Sequence, residues 1–84
     1  MFKVRKKDGS QEDFDRNKVF NSILRAGGTR EEAEKVTGEV ETWLSNAAVN
    51  GVVDSQAIRA KVIELLRPLN PTVAGDYEAY KKQY

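Results

Sequence analysis

The chain has 84 residues, 39% of them hydrophobic and 32% charged, which is enough for one small globular domain that buries only about 60% of its unfolded surface. It holds no run of about 18 apolar residues and no apolar signal-peptide core in its first seven positions, so neither a membrane span nor export is expected, and a cytoplasmic chain is. It contains no Cys and no His, which excludes disulfides, thiol nucleophiles, zinc–thiolate sites and the Ser-His-Asp triad; no enzyme is expected, and no catalytic or metal-ligating residue is assigned.

The net charge of +1 hides an asymmetry. Lys3, Arg5, Lys6 and Lys7 crowd the start without an acid, whereas residues 31–64 carry seven acidic against three basic side chains. The basic end suits an anion. The acidic middle argues against a broad nucleic-acid footprint, so direct nucleic-acid binding is not expected.

Phe2, Val4 and Lys6 alternate with Lys3, Arg5 and Lys7, a period-two pattern that predicts a short strand. Asp8-Gly9 predicts a type I′ turn, and residues 10–14 return as the second strand of a hairpin over 2–14. A hairpin of two strands is marginal in water and must lie on something. Asp15 is a good N-cap for a helix of about 15–26, with Val19, Phe20, Ile23 and Leu24 on one face and Gly27-Gly28 at its end. Thr29 and Glu32 form a capping box for a helix of about 29–48, whose stripe is Ala33, Val36, Val40, Trp43 or Leu44, and Ala47. Gly38 inside it suggests a close helix contact, and Asn50-Gly51 breaks the pattern. Asp54 or Ser55 caps a third helix of about 55–67, carrying Ile58, Val62, Leu65 and Leu66, which Pro68 stops. Asn70-Pro71 starts a fourth helix of about 71–82, with Val73, Ala74, Tyr77, and Tyr80 or Lys81 on its buried side. The expected fold is α+β, mainly α: an N-terminal hairpin covering a four-helix bundle, one domain over residues 1–84 with neither repeat nor linker.

Several side chains have both a plain and a functional reading. Lys6 and Lys7 at the hairpin tip either defend an edge strand or reach an anion held between hairpin and bundle. Lys18 stands in a first helical turn, where carboxylates are favoured; it pairs with Asp15 or faces a phosphate. Ser55 and Arg59 lie one turn apart, an ordinary polar face or part of a site. Tyr77, Tyr80 and Tyr84 fall at helical spacing, which favours packing over base stacking.

The order of these pieces resembles the ATP-cone domain family. Residues 4–19 read Val-x-Lys-Lys-Asp-Gly-Ser-x-Glu-x-Phe-Asp-Arg-x-Lys-Val, and the family opens on a basic pair, an acid or Asn, Gly, then Glu-x-Phe-(Asp or Asn) and a Lys three residues on. An Ala-Gly end to the first helix, Ser55-x-x-Ile58, and Val-Ala-x-x-Tyr-x-x-Tyr-basic over residues 73–81 follow in order, so the resemblance covers essentially the whole chain. It implies a hairpin or small sheet on a four-helix bundle. It also implies a regulatory module that binds ATP or dATP without catalysis and answers by a change of conformation or association. Such cones sit at the N-terminus of many ribonucleotide reductase large subunits and in the zinc-ribbon repressors of reductase genes.

Carried over by position, the resemblance implies that Val4, Lys6, Lys7, Glu12, Asp15, Lys18, Ser55 and Arg59 line the nucleotide. Lys6 and Lys7 would hold phosphates, with Mg2+ carried by the phosphates themselves. Glu12 and Asp15 would accept from the adenine amine, Ser55 would touch the ribose, and Lys18 and Arg59 would reach phosphate or sugar. Two positions depart from the family: Lys7 stands where Arg is frequent, and Arg59 where His is frequent. Neither a reductase barrel nor a zinc ribbon follows Tyr84 in this sequence, so the expected molecule is a freestanding cone or a piece of a longer chain. Its partners would be adenine nucleotide and a second copy or a larger regulated protein. The rival reading is a degenerate cone that binds protein and no nucleotide.

Overall fold

Alternation at the start of the chain builds β1, Lys3–Arg5, whose Val4 is completely buried between exposed neighbours. The structure, a computed structural model, describes residues 2–79. β2, Gln11–Asp13, pairs antiparallel with β1 and sets Val4 against Glu12. The turn between them is not type I′. Lys6 N donates to Ser10 O (2.8 Å), Gly9 N donates to Lys6 O (2.9 Å), and within the turn Gly9 alone has a positive φ, of 88°. This is a three-residue loop with glycine at the bulge position. Asp8 accepts from the Ser10 N–H and hydroxyl, at 2.9 and 2.6 Å, and these bonds hold its carboxyl below the usual range.

The type I′ turn is at Asn50-Gly51. Both residues have positive φ, 54° and 76°, and the flanking Val49 and Val52 exchange hydrogen bonds of 2.9 and 3.0 Å. Rather than merely ending a helix, this turn launches β3, Val52–Asp54, which lies parallel to β1. The expected two-stranded hairpin is thus the edge and the centre of a three-stranded sheet ordered β2-β1-β3, with β3 as its other edge. Three residues are too few to show a period in the sequence, which is why β3 was hidden there.

Four helices support this sheet. α1, Arg16–Arg25, is capped by Asp15, which accepts from Asn17 N at 2.9 Å. It closes on a Schellman motif: Gly27 at φ 99°, with Gly28 N donating to Ile23 O at 2.9 Å. α2, Arg30–Ala47, starts on the expected capping box and buries Leu44 rather than Trp43, whose ring lies 6.0 Å below the Lys61 ammonium. Gly38 makes no close contact; a Cβ there would meet nothing within 4 Å.

α3, Ser55–Leu69, follows β3 without a loop and runs through Pro68 instead of stopping there. In the last turn a proline removes only one intrahelical bond, and the chain leaves the helix at Asn70. α4, Pro71–Ala79, starts as expected, with Asn70 Oδ1 accepting from Val73 N at 3.3 Å. Tyr80, Lys81, Tyr84 and the expected helix end at 82 lie outside the described residues.

Buried hydroxyls also sit in this core. Tyr77 of α4 is fully buried, with its hydroxyl 3.1 Å from Ser22 Oγ of α1, and burial holds its pKa above the ordinary value. A raised folded pKa means that the contribution to stability is complete below the unfolded value of about 10 and is lost as pH rises through the folded one. The melting temperature is therefore expected to fall above pH about 10 more steeply in the wild type than in Tyr77→Phe; equal alkaline slopes would contradict this. Thr37 of α2 is fully buried and its Oγ1 has no hydrogen-bond partner among the described residues. Thr37→Val keeps the shape and removes the unmet hydroxyl, so a stabilisation of about 1 kcal/mol is expected. Urea unfolding measures it: the midpoint should rise at unchanged slope.

Candidate functional site

The sheet brings the hairpin tip, residues 6–9, beside the face of α3 that begins at Ser55. Between them lies an open cleft of about 1520 Å³. Six of the eight residues carried over from the family line it: Lys6, Lys7, Glu12, Lys18, Ser55 and Arg59. They come from β1 and its turn, β2, α1 and α3, separated by up to about fifty positions in the chain.

Two do not line it. Val4 is 0% exposed, and its side chain belongs to the core beneath the sheet. Asp15 caps α1 through Asn17 N. Its contribution to the cleft is indirect, because that cap fixes the first turn from which Lys18 projects.

Glu12 is the electrostatic centre of the hairpin side. Both its oxygens lie 3.0 Å from Lys18 Nζ, and one lies 3.7 Å from Lys6 Nζ. Lys18 is therefore the partner of Glu12 rather than of Asp15 alone, and its unfavourable place near a helix start is offset by that carboxylate. Lys7 makes no ion pair among the described residues and is exposed.

The α3 side holds residues that the sequence reading left out. Gln56, Ala60, Ile63 and Arg67 share the stripe of Arg59 at helical spacing, and all line the cleft. That spacing was readable once Arg59 had been placed; what was missing was a reason to extend it past Arg59. Arg25 comes from the last turn of α1, where a cation also complements the helix dipole. Ser55, only 3% exposed, is the first residue of α3, and its hydroxyl has no hydrogen-bond partner among the described residues. Asp54 stands at the N-cap position and does not cap; its carboxylate accepts from Arg5 Nε at 2.8 Å, which raises the Arg5 pKa.

Among the described residues, six basic and four acidic side chains line the cleft. The acids are engaged: Glu12 by Lys18, Asp8 by Ser10, Glu64 by Lys61 at 2.6 Å, and Glu78 by Arg67 at 3.6 Å. The balance favours an anion, and Ala60 with Ile63 adds an apolar strip for a flat group. Among the described residues no cluster of acids fits a metal ion, and no helix is long and apolar enough to cross a membrane.

Comparison with known proteins places the chain in a family. The ATP cone domain model matches residues 2–84. The transcriptional repressor NrdR of Geobacillus kaustophilus is 33% identical over 96% of this chain and 55% of its own length. The NrdR repressor of Clostridium acetobutylicum is 31% identical over 96% of this chain and 56% of its own. A protein of unassigned role from Archaeoglobus fulgidus is 46% identical over 41 residues, 49% of this chain and 87% of that one. The chain spans about half the length of the repressors it matches. On its whole described length and on this match, the chain belongs to the ATP-cone domain family of nucleotide-binding regulatory modules.

Proposed function

We propose that the chain binds ATP or dATP in the cleft between hairpin and α3 and signals by a change of conformation or association, without turning the nucleotide over. One observation carries this reading: cations from the hairpin tip and from α3 converge on a single cleft that also has an apolar strip. Lys6 and Lys7 act as point charges for phosphates, with Mg2+ entering on the phosphates, and Arg59 and Lys18 reach phosphate or sugar. Ser55 offers its unmet hydroxyl to the ribose. Glu12, held in place by Lys18, accepts from the adenine amine, and Asp15 serves through the α1 cap.

The binding-without-turnover reading rests on the residues available. No His or Cys exists in the chain, and each carboxylate of the cleft already has a partner. A nucleotide sensor of this kind works in the cytoplasm. Its partner is a second copy or a larger regulated protein; the curated relatives named above are transcriptional repressors.

Titration with ATP, dATP, GTP and AMP, followed by amide shifts, tests the reading. ATP or dATP is expected to bind in preference to GTP, and triphosphate in preference to monophosphate. Equal shifts for ATP and GTP, or none at millimolar ligand, would overturn it in favour of the protein-binding cone. Lys7→Ala should weaken ATP binding by about 1–3 kcal/mol, the range for a hydrogen bond to a charged group. Lys35→Ala, on the exposed face of α2, should leave it unchanged; equal losses would reduce the lysines to background charge.

Binding should also leave a local mark. A hairpin gains most from a ligand wedged between it and the bundle, so ATP is expected to raise the melting temperature and to slow amide exchange chiefly in residues 4–14. Light scattering should register a change of mass or of partner binding, and a phosphate-release assay should stay flat. Steady release abolished by Lys6→Ala would make the domain an enzyme.

A further inference from the structure

Among the described residues, α4 meets the cleft at Glu78, and two arginines of the cleft hold it there. Arg59 donates from Nη2 to the Glu78 carbonyl oxygen. Arg67 places Nη2 3.6 Å from the Glu78 carboxylate. Both arginines project from the cleft face of α3, and Glu78 itself lines the cleft. Its carboxylate therefore occupies, with a charge carried by the protein, part of the field that would receive an anion.

The two holds differ in strength. The Arg67–Glu78 pair is long, and its side chains are 64% and 55% exposed, the class of ion pair that contributes little and exchanges partners readily. The Arg59 bond is direct, but the guanidinium is a fork of five N–H donors that can turn toward a stronger acceptor. A phosphate group, with more charge than the Glu78 carboxylate that faces Arg67 or the Glu78 carbonyl that faces Arg59, competes for both.

We propose that Glu78 is a built-in competitor for the cleft's arginines: a bound anion draws Arg67, and with it Arg59, off Glu78, and the turn of α4 around Glu78 is the element that occupancy of the cleft releases. The inference rests on the nucleotide reading for the identity of the anion. It adds the route by which binding reaches a helix on the side of the cleft away from the hairpin. Glu64 provides the control. It also lines the cleft, yet its carboxylate is paired with Lys61 at 2.6 Å rather than with Arg59 or Arg67.

The test is a titration of ATP into wild type, Glu78→Gln, Glu64→Gln, Arg67→Met and the Arg67→Met/Glu78→Gln pair, with amide exchange read in residues 72–79. Glu78→Gln should bind ATP about two- to fivefold tighter, the range expected for releasing an exposed ion pair. Glu64→Gln should gain less, and Glu78→Gln should gain nothing further in the Arg67→Met background. ATP should speed exchange in residues 75–79 of the wild type. Equal gains from Glu78→Gln and Glu64→Gln, or a full gain without Arg67, would show only a general field and overturn the switch. Unchanged or slower exchange around Glu78 would overturn the release. Failure of the wild type to bind ATP at all would instead overturn the nucleotide reading on which the switch rests.

Discussion

β1 is three residues long and both its edges are used. β2 pairs with it antiparallel and β3 parallel, and Val4 at its centre is wholly buried. The hairpin tip, β2 and the start of α3 take their places in the cleft from this strand. The chain beyond Arg5 turns at Lys6 and Lys7, the antiparallel neighbour presents Glu12, and the parallel neighbour runs straight into α3 at Ser55. Two polar regions that are about fifty residues apart in sequence meet because one buried valine anchors the strand between them. A strand this short supplies few ladder bonds, so its place is set by the burial of Val4 and Val53 against the helices rather than by the sheet itself.

Electrostatics then shapes what packing has brought together. Two of the cleft's carboxylates order its cations: Glu12 holds Lys18 and Lys6, and Glu78 holds Arg67. Glu12 gathers Lys18 from α1 and Lys6 from β1's end, tying hairpin to helix across the mouth of the cleft. Arg16 does the same on the opposite side of α1, reaching Glu34 and Glu41 of α2 at 3.2 Å, which raises its pKa. Each of these pairs is exposed and individually weak. Their role is geometric, in fixing where long flexible side chains sit. The acids of the second helix, which argued against a nucleic-acid surface, are in part the structural partners of α1.

Much of this was legible in the residues. The capping box at Thr29, the Asn70-Pro71 start and the glycine stop after α1 are local, and local chemistry decided them. The errors were of a different kind. Asp8-Gly9 carries the stronger-looking turn pattern, but Asp8 is bound by Ser10 and keeps an ordinary backbone, while Asn50-Gly51 takes the type I′ turn because a strand was there to be launched. Pro68 marked the neighbourhood of a helix end and not the end itself. Ser55, Arg59 and the hairpin lysines were placed together only through a family resemblance, since no period or spacing connects positions so far apart. Arg67 and Glu78 carried no local signal at all. Their meaning comes from the packing of α4 on α3.

Asp54 shows how closely fold and site are joined. It holds the N-cap position of a fifteen-residue helix, where a carboxylate normally accepts from the first turn, and it faces Arg5 of β1 instead. The first N–H groups of α3 are left without a side-chain cap beside the unmet hydroxyl of Ser55. The exchange is close to neutral in stability, since an exposed ion pair contributes little and the cap it replaces is itself a surface interaction. What it changes is connection. No linker separates β3 from α3, so the Arg5–Asp54 pair ties β1 to the residue that immediately precedes Ser55. The two walls of the cleft are thus joined through one short sheet, and α4, packed on α3, reaches the cleft at Glu78.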